Sequence, residues 1–255
     1  MVEQLELDGD VLVTTDRLAA VMDELGLQGD ARRLAYELQR DGWLGRLRSR
    51  HVWEFLPGAR GGAYGSGDRF IEFRAQRAVD PEWGGVLAME SAASVLGLAQ
   101  RIPEQEVVAL PPDEPFPKAL TGQWRYVRTQ LPAAAITTVD GLPSWNLEGL
   151  LVGIAARPSA YKDVAGLGQW LAEARDVDVR RVVELLRSMG AATRQRTAYL
   201  LSLCGEAAPT RAVVDTYPPV GAVWLGPRTV GGHFDTRTQV NDTLLHTYAD
   251  VGSGA

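Results

Sequence analysis

The chain has 255 residues, 45% of them apolar, with 26 basic against 32 acidic side chains and a net charge of −6. That is ordinary for a globular protein and long enough for one large domain or two smaller ones. A single cysteine excludes an internal disulfide, and neither a basic-then-apolar leader nor a run near the roughly 18 apolar residues of a membrane span is present, so a soluble, cytoplasmic protein is expected.

Residues 1–10, MVEQLELDGD, are acidic and leave room for barely one helical turn; Val11-Leu12-Val13 reads as a strand. A helix then starts near Thr15 or Asp16, either of which can cap free N–H groups. Leu18, Ala19, Met22 and Leu25 form its apolar stripe, and Gly26 ends it. Asp30 caps a second helix that buries Ala31, Leu34, Ala35 and Leu38. Its other face carries Arg32, Arg33, Tyr36 and Arg40. Arginine there can fork onto guanine edges or clamp phosphate, and tyrosine can donate to phosphate. After the Asp41-Gly42 turn, Trp43-Leu44 and Val52–Phe55 read as two strands whose connection carries Arg46, Arg48 and Arg50.

Helix, turn, helix, wing is the order of a module that lays one helix in a DNA major groove with a hairpin beside it. Charge supports that reading. Residues 28–60 hold seven arginines against four carboxylates, a net of +3, which leaves −9 for the rest of the chain. An acidic protein that concentrates arginine on one helix and one hairpin is built to meet a polyanion there.

The run Gly58–Gly67 lacks the Gly-Lys-Ser/Thr of a phosphate loop and reads as a hinge. Residues 68–78 fit strand or helix. Val86–Leu98 reads as a small-residue helix closed at Gly97, Val107–Leu110 as a buried strand, and 123–131 as a second strand. From Leu147 helical patterns dominate: 147–157, 164–175, 179–189 and a helix capped by Thr193 that brings Thr197, Leu200, Leu201 and Cys204 to one face. VWLGP and TQVNDTLL are strand-like. The fold class is therefore α+β: an N-terminal winged helix-turn-helix domain (1–62), a hinge and linker (63–80), and a larger, mostly helical C-terminal domain (81–255).

No catalytic, metal or cofactor constellation stands out. His51, His233 and His246 are scattered, Cys204 has no activating partner, and Lys118 and Lys162 are the only lysines. Arg180, Arg181, Arg187, Arg194 and Arg196 form a second basic run, read as a solvated helix face with Glu184 pairing to Arg180 and Arg187. Three functions compete: a repressor that is also an antitoxin, a stand-alone winged-helix regulator, and a nuclease targeted by its winged helix. The last lacks the clustered carboxylates and nearby lysine it needs.

The motifs DGWLGRLRSRHVWEFLPG, MESAASVLGL, VVALPP, QWRYVR and WNLEGLLVGIAARPSAY, in this order over residues 11–215, resemble the AbiEi family, the antitoxins of type IV toxin–antitoxin systems, in its two-domain actinobacterial form. The resemblance implies a winged helix that represses its own operon at inverted repeats, and a C-terminal domain that counteracts a nucleotidyltransferase-fold toxin. It implies DNA contact by Arg32, Arg33, Tyr36 and Arg40 on the helix and by Arg46, Arg48 and Arg50 on the wing. One winged helix covers only a half-site, so a monomer that binds an inverted repeat as two copies is expected. The short N-terminus and a tail poor in strands after Pro227 depart from the family pattern.

Overall fold

The computed structural model describes residues 1–58, 65–228 and 231–249. Backbone contacts divide the chain into two compact units, Met1–Gly84 with Pro115–Gly122, and Gly85–Glu114 with Gln123–Ala255. Both mix helices and strands, so the α+β class holds.

The first unit runs α1 (Val2–Leu7), β1 (Leu12–Thr14), α2 (Thr15–Glu24), α3 (Ala31–Arg40), β2 (Leu44–Arg46), β3 (Val52–Phe55) and α4 (Ile71–Val79). Its sheet has the order β1-β3-β2, antiparallel throughout. Helix α1 is short, yet it seats Leu5 in a core with Val13, Leu18, Val21, Ala35, Leu38, Leu44, Trp53 and Phe55. Strand β1 runs directly into α2, so the cap falls one residue earlier than expected. The Thr14 hydroxyl accepts from the Arg17 N–H at 3.1 Å. The buried stripe of α2 is Leu18, Val21 and Met22; Ala19 lies exposed, and Leu25 sits at the C-cap, past the last turn. Asp30 caps α3 as expected, accepting from the Arg32 N–H at 2.8 Å.

Residues 59–64 of the expected glycine hinge lie outside the described residues. The segment after them is more than a connector. Asp68 accepts from the Phe70 N–H at 2.8 Å and pairs with Arg74 at 2.7 Å, and α4 packs on β1 and β3. Its buried Phe73 meets Trp83 edge-on, ring centroids 5.1 Å apart.

The second unit begins with β4 (Val86–Leu87), α5 (Met89–Val95), β5 (Glu106–Leu110), β6 (Trp124–Arg128), β7 (Ile136–Val139) and β8 (Leu142–Trp145), in a sheet of order β6-β5-β4-β8-β7. The apolar run expected to be one helix is split: Val86 and Leu87 are a strand, and Met89, at φ +49°, turns it into α5. Helices α6 (Leu147–Ala156), α7 (Val164–Glu173), α8 (Val179–Leu186), α9 (Ala191–Leu203) and α10 (Ala207–Thr216) follow. Helix α9 starts at a Gly190 cap, a full turn's worth of residues before Thr193, because Ala191 and Ala192 extend it backwards. Leu150, Leu151, Ile154, Trp170, Leu185, Leu200 and Leu201 build the core. Gly153 is required there: a Cβ would run into the Trp145 ring.

The tail holds the two expected strands and a third, β10, that was not read. β9 (Val223–Leu225), β10 (His233–Asp235) and β11 (Val240–Asp242) form a sheet of order β10-β11-β9, followed by α11 (His246–Ala249). Two polar side chains bind it to α9. Buried Asp242 accepts from the Tyr199 hydroxyl at 2.9 Å, and Gln195 donates to the carbonyls of Gly221 at 2.7 Å and Thr238 at 3.0 Å.

Candidate nucleic-acid interface

Helix α3 is polarised by its sequence. Ala35 and Leu38 point into the core, which forces Arg32, Arg33, Tyr36 and Arg40 to the opposite, exposed side. Tyr36 is 66% exposed. Arg33 pairs with Glu37 at 3.0 Å and Arg40 with Asp41 at 3.1 Å, both on the surface. Exposed pairs of this kind contribute about 0–1 kcal/mol, so a phosphate or a base edge can displace the carboxylate at little cost.

The β2–β3 hairpin stands beside this face. Between them lies a cleft of about 600 Å³ whose lining includes Tyr36, Gln39, Arg46, Arg48, Arg50 and His51. The tip closes at His51, held at φ +65°, whose carbonyl accepts from the Thr15 N–H at 3.1 Å. Across the cleft the Trp53 indole N–H donates to Gln39 Oε1 at 3.1 Å.

The three hairpin arginines, alike in sequence, differ in the structure. The Arg48 N–H donates to Glu72 on α4 at 2.9 Å, and its guanidinium donates to the Thr121 carbonyl at 2.8 Å. The Arg46 and Arg50 side chains are exposed and form no hydrogen bond or ion pair among the described residues. Arg17 on α2 is held by Asp10 and Asp8; the Asp10 hydrogen bond foremost raises its pKa. Gln39 and His51 did not stand out in the sequence. The position of Gln39, three residues after Tyr36 and seven after Arg32, is the signal that marks it as sharing their side of the helix.

In the second unit three arginines are turned inward. Arg194 donates to the carbonyls of Leu186 at 3.0 Å and Arg187 at 2.8 Å and stacks over Tyr217. Arg196 donates to the carbonyls of Trp224 at 2.6 Å and Ala155 at 3.3 Å, and burial lowers its pKa. Arg181 pairs at 3.1 Å with Glu148, whose other oxygen accepts from the Asp178 N–H at 2.8 Å. Arg180, Glu184 and Arg187 stay exposed, as expected of a solvated face, but the expected pairs of Glu184 with Arg180 and Arg187 do not form among the described residues.

Buried Glu90 accepts from Arg125 and from the main-chain N–H groups of Lys162 and Asp163. It lies at a cleft of about 380 Å³, but these donors occupy its oxygens, which makes it a strut for the loop before α7. Cys204 is buried, and burial pushes its thiol up to about 12. Among the described residues no group of three or more His, Cys, Asp or Glu could hold a metal ion, and no helix is long and apolar enough to cross a membrane.

Comparison with known proteins adds to this geometry. Residues 85–203 match the AbiEi antitoxin C-terminal domain, and the match starts where the second unit starts. The crystal structure of RV2827C protein from Mycobacterium tuberculosis is similar over 100% of this chain and 93% of that one, at 28% identity and a TM-score of 0.80. No match was found among curated protein sequences. The match over residues 85–203 supports an AbiEi-family antitoxin.

Proposed function

We propose that the chain is an AbiEi-family antitoxin and also the DNA-binding repressor of its own operon. The first unit is then a winged helix-turn-helix: α2 and α3 form the helix pair, α3 is the recognition helix, and the β2–β3 hairpin is the wing. One observation carries the reading. Arg32, Arg33, Tyr36 and Arg40 occupy one exposed helix face, with Arg33 and Arg40 held only in exposed pairs, and Arg46 and Arg50 stand on the hairpin beside it with no side-chain partner among the described residues.

In this reading Arg32, Arg33 and Arg40 face the major groove, with at least one on base edges, and Tyr36 donates to phosphate. Arg46 and Arg50 reach phosphate or the minor groove; Arg48 sets the hairpin's position. The protein acts in the cytoplasm as a monomer that loads as two copies on an inverted repeat in its own promoter. The second unit counteracts a nucleotidyltransferase-type toxin, directly or indirectly; the domain match over 85–203 and the resemblance over residues 11–215 support this. The alternative of a regulator without a toxin is disfavoured by the same match.

Two assays test the proposal. A footprint on the chain's own promoter should span both arms of an inverted repeat; protection of a single half-site at one-to-one stoichiometry contradicts the two-copy arrangement. Co-expression with the neighbouring gene product should relieve growth arrest; no arrest by that product alone leaves the stand-alone regulator as the better reading.

A further inference from the structure

The cleft between α3 and the hairpin holds a polar group that the functional reading has not used. Gln39 is partly buried on the cleft wall, and its amide faces the Trp53 indole at 3.1 Å. An indole N–H can only donate, so the atom facing it must be the carbonyl oxygen of the glutamine. Trp53 is itself fixed: it belongs to β3, pairs across to Arg46 and Val13, and is 7% exposed. The carbonyl end of Gln39 is therefore tied down, and its amide nitrogen keeps both N–H groups for other acceptors.

An amide pinned in this way suits an acceptor-only partner. Phosphate oxygens are such a partner, as are guanine N7 and O6; an adenine edge would have to share the carbonyl oxygen with Trp53. The cleft is cationic on its other wall, where Arg46 and Arg50 stand. We propose that Gln39 is a phosphate clamp: Trp53 orients its amide so that both N–H groups meet the DNA strand passing between α3 and the hairpin, with Arg46 and Arg50 opposite. This rests on the reading of the first unit as a DNA-binding module. It adds a neutral positioning contact that fixes the register of the backbone, and assigns Trp53 a role beyond core packing.

A phosphate clamp and a base reader differ in what their loss does. The full chain is titrated by fluorescence anisotropy against duplexes of 30 base pairs that the unaltered protein has selected from a random pool, and against their single-base variants. Gln39→Ala should weaken binding about tenfold, the scale of one hydrogen bond to a charged group. The loss should be equal across all base variants, and the salt slope should stay unchanged because no cation has been removed. Gln39→Glu should lose more than Gln39→Ala, since a carboxylate facing phosphate repels it. Trp53→Phe, which removes the indole N–H together with the five-membered ring, should weaken binding by less than Gln39→Ala, with a melting curve to confirm that the first unit stays folded. A changed preference at one base pair in Gln39→Ala overturns the clamp in favour of base reading. Unchanged affinity in Gln39→Ala overturns it outright, with Arg33→Ala as the control for DNA binding by the unit. If the unaltered protein selects no duplex at all, the DNA-binding reading itself is what has failed.

Discussion

The arginines of α3 and the hairpin and those of α8 and α9 do opposite work. In the first, Arg32, Arg33, Arg40, Arg46 and Arg50 face solvent, singly or in exposed pairs. In the second, Arg181, Arg194 and Arg196 fold back onto a buried carboxylate and onto main-chain carbonyls. The side chain is the same; what differs is whether the protein has already supplied the acceptor. A guanidinium with its acceptors in place is a brace, and one without them is held ready for an anion from outside. Composition cannot tell the two apart, because both stretches read as clustered arginine on amphipathic helices.

The comparison breaks most visibly if a brace is removed. Arg196→Ala should destabilise the second unit by about 2–3 kcal/mol, since the Trp224 and Ala155 carbonyls lose their donor. Thermal melting should show the loss, and DNA affinity at low temperature should not change. Arg33→Ala and Arg40→Ala should do the reverse. Each is expected to cost about 1–3 kcal/mol in DNA affinity if it reaches a base, with a melting temperature within error of the unaltered protein. A large stability loss from either would place it among the braces.

The hairpin sharpens the contrast within one element. Arg46→Ala should lower the salt slope of DNA binding by about 1, as for one phosphate contact. Arg48→Ala should leave the slope intact and cost about 1 kcal/mol of stability, because its guanidinium already serves the Thr121 carbonyl. Equal slopes lost from both would show that Arg48 leaves Thr121 for DNA. The smallest effect is a null one. With its thiol pushed up to about 12 by burial, Cys204 should not react with a disulfide reagent at pH 8 until the second unit unfolds. The linkage follows from the sign of that shift. The neutral thiol's contribution is whole below the unfolded value of about 8.5 and is lost as pH rises towards the folded one. A rapid native reaction would mean that the core around α9 opens.

Local rules carried the reading of the first unit because its signals are local. Asp30 caps α3, Gly26 closes α2 at φ +64°, and Ala35 and Leu38 orient the arginine face. What escaped depends on distant partners. The tie of Arg48 to Thr121 spans 73 residues and that of Trp53 to Gln39 spans 14, so no window of periodicity contains them. The second unit was legible in its long helices but not in its joints. Val86-Leu87 read as helix because two residues cannot show a strand period, and only pairing to β5 and β8 settles them. The β7–β8 hairpin passed unrecognised, although Asp140-Gly141, both at positive φ, is a plain turn signal. In the tail VWLGP and TQVNDTLL read as strands, which β9 and β11 bear out, but their parallel pairing across 14 residues is a non-local contact that short strands do not announce, and β10 went unread.

The central claim is that DNA binding and antitoxicity belong to different units of one chain. The most direct measurement uses the full chain with Arg32, Arg33 and Arg40 all replaced by alanine, assayed in parallel for binding to its own promoter and for rescue of growth beside its toxin. The account predicts that promoter binding is lost, that the melting temperature is unchanged and that rescue persists when the protein is expressed from a foreign promoter. Rescue lost together with DNA binding, at unchanged stability and expression, would contradict it.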